Sequence, residues 1–180
     1  MKAVLILVAS LGLTLPHAGS AQAAAATAGR CQPAQAGRFD FWIGKWSGRE
    51  ISPTDGKPQP GGSSSTVEVV PVLAGCGVLE RREIRLPKET LRTLSLFAYD
   101  GELKRWRLHF FDDAGINQEW EGDFVDGHWQ FSRERVADGK KMLVRITWVE
   151  AGKDRVLWET SRSEDSGKTW VVRSRTEFIH

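Results

Sequence analysis

Three Asp-Gly pairs, Asp100-Gly101, Asp126-Gly127 and Asp138-Gly139, each sit between runs of alternating apolar and polar residues. Asp-Gly in that setting marks a tight hairpin, because a type I′ turn needs positive φ at both central residues. Ala114-Gly115, Ala151-Gly152 and Gly167 break the chain at a similar rhythm. Between these breaks the sequence predicts strands over residues 66–73, 77–86, 91–99, 105–111, 116–125, 128–135, 142–150, 155–163 and 169–179. A further strand runs from Gly44 to about residue 51. Few gaps have room for a helix. About ten antiparallel strands joined by short turns predict an all-β fold, a single up-and-down barrel closed so that no edge is left free. A two-sheet sandwich is the structural alternative. It uses long crossovers, and this chain has almost none after residue 63.

Residues 1–23 have the layout of a secretory signal peptide: Lys2, an apolar run over 3–15, then Ala21-Gln22-Ala23 as an A-x-A cleavage site. The run is shorter than the ~20 residues that cross a bilayer; an uncleaved N-terminal anchor is the alternative. No later stretch is long and apolar enough to span. Residues 24–36, rich in Ala, Gln and Gly, are expected to be a flexible lead, and 37–180 the barrel domain. The expected location is periplasmic or secreted. Removing Lys2 takes the formal charge from +2 to +1, which argues against a nucleic-acid partner. Export makes a Cys31–Cys76 disulfide the expected state, with two buried thiols as the alternative.

Phe39-Asp40-Phe41-Trp42-Ile43-Gly44-Lys45-Trp46 holds four aromatic residues in eight positions. A short helical turn over 39–43 is expected to lead into the first strand. Alternation then sorts the faces. Trp106, Leu108 and Phe110 share one side. So do Ile116, Trp120 and Phe124; Trp129 and Phe131; Met142, Val144, Ile146 and Trp148; Val156 and Trp158; and Trp170, Val172 and Phe178. Charged residues from Arg105 to Glu177 occupy the other side. The strands over 77–86 and 91–99 are ambiguous in phase.

Polar residues on the apolar faces are the informative ones, because burying such groups unpaired costs about 1–3 kcal/mol each. These are Gln118, Arg133, Thr160, Ser174 and Thr176, joined by Glu80 and Arg82 if Val78 and Ile84 point inward. Either they pair with one another or meet water at a rim, or they orient a ligand in an apolar, Trp-lined cavity. On the second reading Glu80, Arg82, Gln118, Trp120, Arg133, Trp148, Trp158 and Thr160 form the ligand site, and the partner is a small, mostly apolar molecule. On the first, the tryptophans fill a structural or interaction protein of the cell envelope. No phosphate loop or nucleophile elbow is present, and no carboxylate pair stands out as an acid/base couple. His109, His128 and His180 are not spaced for a metal. Ser163 to Trp170 fits S-x-D-x-G-x-T-W and resembles the Asp-box of sialidases, but it occurs once. It is read as hairpin chemistry: Asp165 bonding turn amides, Gly167 at positive φ, Trp170 packed beneath.

Phe39 to Trp46, Gly75-Cys76 to Glu80, and Trp158-Glu159-Thr160-Ser161 to Trp170 together resemble the signature of a family of secreted bacterial lipocalin-like barrels, a domain of unknown function. The resemblance covers about residues 31–180 and implies a calycin-type barrel. In lipocalins a Gly-x-Trp follows a short helix and its Trp packs across the closed end beneath a basic residue of the last strand. It implies structural roles for Trp42, Gly44 and Trp46, with Arg173 or Arg175 as the basic residue, and carries over no catalytic residue. Some ten-stranded barrels of similar shape bind haem through a histidine near the C-terminus. Haem held by His180, in a barrel that transforms small molecules, is therefore a further alternative, though termini fray.

Overall fold

The computed structural model describes residue 35, residues 37–150 without the side chain of Glu150, and residues 154–180. The expected leader, nearly all of the lead segment and Cys31 lie outside the described residues. Cys76 is half-buried after a 3-10 turn over Leu73–Gly75.

A short 3-10 turn, Asp40–Trp42, precedes the ten strands. These are β1 (Gly44–Ile51), β2 (Ser64–Val72), β3 (Gly77–Arg85), β4 (Thr90–Asp100), β5 (Arg105–Asp112), β6 (Asn117–Val125), β7 (His128–Ala137), β8 (Lys140–Glu150), β9 (Arg155–Ser163) and β10 (Val171–Ile179). Each strand pairs antiparallel with its sequence neighbours, and β1 closes the ring against β10. This is the expected up-and-down barrel. Every strand has two partners, so no row of backbone groups is left to recruit another chain.

Two of the three Asp-Gly pairs make the expected two-residue turns. Asp126 and Gly127 have φ of 51° and 81°, and Asp138 and Gly139 have 51° and 73°. Asp100-Gly101 does not. There β4 runs through Asp100 and a four-residue loop follows, in which Lys104 takes the positive φ and the Asp100 carboxylate accepts from the Glu102 and Leu103 amides. An Asx-type interaction stabilises the wider loop as well as Asp-Gly stabilises the narrow one.

At one end of the barrel the segment before β1 folds inward as a plug. Phe39 stacks on Trp129 at 4.2 Å and packs against Trp106 and Phe97. Trp42 stacks on Trp46 at 5.0 Å and meets Phe178 edge-on. The plug's polar groups are matched too: the Trp129 N–H donates to the Arg38 carbonyl, the Trp46 N–H to the Trp42 carbonyl, and the Trp106 N–H to Gln35. Gly48 leaves room for the Phe178 ring, since a Cβ there would sit 2.4 Å from it.

The far end carries the 52–63 loop and the β9–β10 hairpin. In that hairpin Asp165 accepts from the Ser163 hydroxyl and from the backbone and side chain of Thr169, while the Gly167 amide donates to Ser163. Gly167 has φ of 88° and Trp170 donates to its carbonyl. These bonds, Thr169 first, hold the Asp165 carboxyl down to about 2. A folded-state value below the ordinary one means stability that is present above pH ~4 and lost as pH falls toward 2. Asp165→Asn is therefore expected to flatten the acid-unfolding profile between pH 4 and 2, read by circular dichroism against the parent protein.

One facing expectation is overturned. Val172 pairs with Ser161, but Ser174 pairs with Thr160, so β10 carries a one-residue bulge. The extra residue reverses the phase. Phe178 points inward, while Trp170 lies outside beneath the Arg145 guanidinium, 4.1 Å from its ring.

Candidate functional site

The ambiguous strands resolve through register. In β3, Val78, Glu80 and Arg82 are buried; in β4, Thr93, Ser95 and Phe97 are. Arg82 lies directly opposite Thr93, and Glu80 opposite Ser95. Two oppositely charged side chains thus enter the barrel side by side. Their exposures, 3% for Glu80 and 8% for Arg82, place both out of bulk water.

The buried pair is built with partners. Arg82 Nη2 lies 3.0 Å from Glu80 Oε1, and the other carboxylate oxygen accepts the Trp42 N–H at 2.9 Å. The Arg82 guanidinium also lies over Phe178 and Trp158, at 4.9 and 5.1 Å. Cation–π contacts of this kind strengthen where water is excluded. Glu80 therefore ties the plug to the barrel wall, while Arg82 reaches from that tie toward the middle of the barrel.

In the middle is a cavity of about 220 Å³. Phe97, Phe110, Trp120, Trp148 and Trp158 supply aromatic walls, and Ile84, Leu108 and Ile146 aliphatic ones. Glu80, Arg82, Thr93, Ser95, Gln118 and Thr160 are its polar lining. Seven of the eight residues named from sequence line this space: Glu80, Arg82, Gln118, Trp120, Trp148, Trp158 and Thr160. Arg133 stands outside the lining, its guanidinium stacked 4.9 Å from the Trp120 ring. Burial, with the like charge of Arg135 behind it, lowers the Arg133 pKa. Thr93 and Ser95 were not legible from sequence, because Leu94 and Leu96 make the opposite phase of β4 look equally apolar. The usable signal was Trp106, whose inward phase carries across the hairpin to Tyr99, its partner, and so to Phe97, Ser95 and Thr93.

Four residues of the cavity lining carry buried polar atoms that lack a protein partner. Arg82 Nε, Thr93 Oγ1, Trp148 Nε1 and Trp158 Nε1 are buried with no protein hydrogen-bond partner. Elsewhere the fold satisfies its indoles: Trp42, Trp46, Trp106, Trp129 and Trp170 all donate to protein oxygens. Arg107, Arg133, Arg145 and Arg162 Nε and His128 Nδ1 also lack partners away from the cavity, but both indoles without an acceptor belong to residues of its wall.

The remaining structural residues fall at the plug end or outside. The place over Trp46 belongs to His180, edge-on at 4.8 Å, with its amide bonded to the Asp154 carbonyl. Neither arginine proposed for that place can occupy it. Arg175 alternates to the outer wall and pairs with Glu159 at 2.6 Å, and Arg173 is the exposed residue skipped by the bulge. Trp46 faces inward, so an outward side chain of β10 cannot cover it. His180 lies with Gly44 and Trp46 and is not part of the cavity wall.

A wider depression of about 790 Å³ lies against β1–β5. Its outward residues form exposed ion pairs among themselves, Lys45 with Glu68 and Arg92 with Glu83 and Asp113. Such pairs are worth little individually. Among the described residues no cluster of His, Cys, Asp and Glu is placed to hold a metal ion. A scan against protein-family models and a search of curated proteins each gave no match for this chain.

Proposed function

We propose that this protein is an exported barrel that binds a small, mostly apolar molecule in its interior. The observation that carries the reading is the cavity of about 220 Å³ whose aromatic walls include buried donors without protein partners. A barrel packed only for stability has no use for an internal void, since each such space forfeits packing contacts. Binding sites combine an apolar surround with a few polar groups that set orientation, and this cavity has that composition. The leader over residues 1–23, the Cys31–Cys76 bond and membership of the lipocalin-like family belong to the same proposal. Gly44 and Trp46 at the plugged end support the last of these.

The test is native purification of the exported protein and mass spectrometry of what it retains, with a fluorescence screen of small aromatic and aliphatic compounds. Binding is expected to quench Trp148 and Trp158. Thr160→Phe, which adds a ring to the cavity wall, is expected to weaken that binding by about tenfold or more through lost volume. A protein that copurifies with nothing and whose fluorescence ignores the whole panel would sink the reading.

A further inference from the structure

The unpaired groups say more about the occupant than the apolar walls do. Three of the four, Arg82 Nε and the two indole nitrogens, are donors only, and the Thr93 hydroxyl can also donate. They come as two cross-strand pairs. Arg82 faces Thr93 between β3 and β4, and Trp148 faces Trp158 between β8 and β9. The Arg82 guanidinium over the Trp158 ring, at 5.1 Å, brings the two pairs together across the barrel. Glu80, whose oxygens accept from Arg82 and Trp42, makes no bond to the four free groups.

Charge points the same way. Glu80 and Arg82 compensate one another. Arg133, stacked on the cavity-lining Trp120, has no carboxylate within ion-pair distance among the described residues, and its only protein acceptor is the Glu134 carbonyl at 3.3 Å. Beside the cavity, Arg133 is therefore a positive charge with no ion-pair partner among the described residues. Size sets the rest. An apolar cavity of ~150 Å³ takes a benzene ring, so one of about 220 Å³ takes a ring with one small substituent. Five aromatic side chains in the wall favour a flat ring, which gains edge-to-face and offset contacts.

Resting on the binding-barrel reading above, we infer that the ligand is a small aromatic monocarboxylate of about the size of benzoate. Its ring lies among Phe97, Phe110, Trp120, Trp148 and Trp158, and its carboxylate accepts from Arg82, Thr93 and the two indoles. A carboxylate offers about four lone-pair sites and no donor, which matches four donors lacking acceptors. Its single negative charge offsets Arg133. Bonds from neutral and charged donors to an ionised acceptor are the strong ones inside a low-dielectric interior.

The experiment titrates the purified protein with benzoate and, separately, with toluene and benzyl alcohol. It follows heat by calorimetry and the indole N–H resonances by NMR. Benzoate is expected to bind at least about tenfold tighter than either neutral ring, because it alone supplies an anionic acceptor. The Trp148 and Trp158 N–H signals should move downfield on binding. Thr93→Val removes one donor without changing shape. It should lower benzoate affinity about tenfold while leaving the unliganded protein as stable as before or more so. A purely structural hydroxyl would show the reverse. Arg133→Gln should weaken benzoate, remove most of the salt dependence of its binding, and leave toluene unaffected.

Toluene binding as tightly as benzoate, or Thr93→Val binding benzoate unchanged, would overturn the carboxylate inference and leave the binding barrel standing. No heat and no shifted indole signal with any of the three ligands would overturn this inference; the wider binding reading is judged separately by the copurification and the broad panel.

Discussion

Glu80→Ala is expected to lower the midpoint of thermal unfolding by roughly 6–20 °C. Glu80 and Arg82 are both out of water, and removing one partner of a buried pair leaves the other charge stranded, at a cost of about 3–5 kcal/mol. For a domain of this size each kcal/mol moves the midpoint by about 2–4 °C. The substitution also orphans the Trp42 N–H. The physical claim is about stranding, not about the worth of a salt bridge, and a double variant separates the two. Glu80→Leu with Arg82→Met removes both charges and keeps most of the volume, so most of the lost stability should return. Thermal melts of the single and double variants, followed by near-ultraviolet circular dichroism, decide it. A double variant no better than Glu80→Ala would show that the pair itself, with its cation–π contacts, holds the fold.

Trp46→Ala is expected to cost about 3–5 kcal/mol, as truncation of a buried Trp usually does. Trp46 is 3% exposed, stacked on Trp42 and capped by His180. Its removal takes away the surface on which the plug rests. Trp46 does not line the internal cavity. Below the lowered unfolding temperature, binding of an interior ligand should therefore change by less than about threefold, under a kcal/mol. Melting curves and a binding titration on the same sample make the comparison. Stability retained with binding abolished would move the aromatic stretch from the plug to the site.

Much of the architecture was legible from residue order. Ten alternating runs, short breaks and one long loop specify a closed meander, and the strands fall within a few residues of the expected bounds. The misreading of Asp100-Gly101 did not damage the face assignment. A four-residue loop and a two-residue loop are both even in length, so the phase of β5 against β4 is the same in either. The bulge in β10 is different. One extra residue is an odd change, so it reversed Trp170 and Val172 relative to Phe178. Alternation cannot reveal it, because the outer position of Trp170 is itself apolar and packed, under Arg145.

The site was legible in part, and for a specific reason. Gln118, Trp120, Trp148, Trp158 and Thr160 sit on strands with clean alternation, so polar intrusions on the inner face stand out. Strand β4 offers no such contrast. Its outward Leu94 and Leu96 are more apolar than the inward Thr93 and Ser95 between Leu91 and Phe97, and only the pairing of Tyr99 with Trp106 sets its phase. The expected arginine over Trp46 failed on the same logic in reverse: Arg175 is charged and on the strand that closes against β1, but on the wrong face.

From the sequence alone come the strand count, the antiparallel order, the plug and the list of polar residues on the inner faces. These follow from local rules, namely the two-residue period of a strand and the backbone needs of a turn. Whether those polar groups pair with one another or stay unpaired is not local. Glu80 finds Arg82 two residues along the same strand and Trp42 across the plug, while the Trp148 and Trp158 N–H groups are left without a protein acceptor. That outcome depends on how ring closure brings β3, β4, β8 and β9 around a common interior, a distance no single segment of the chain encodes.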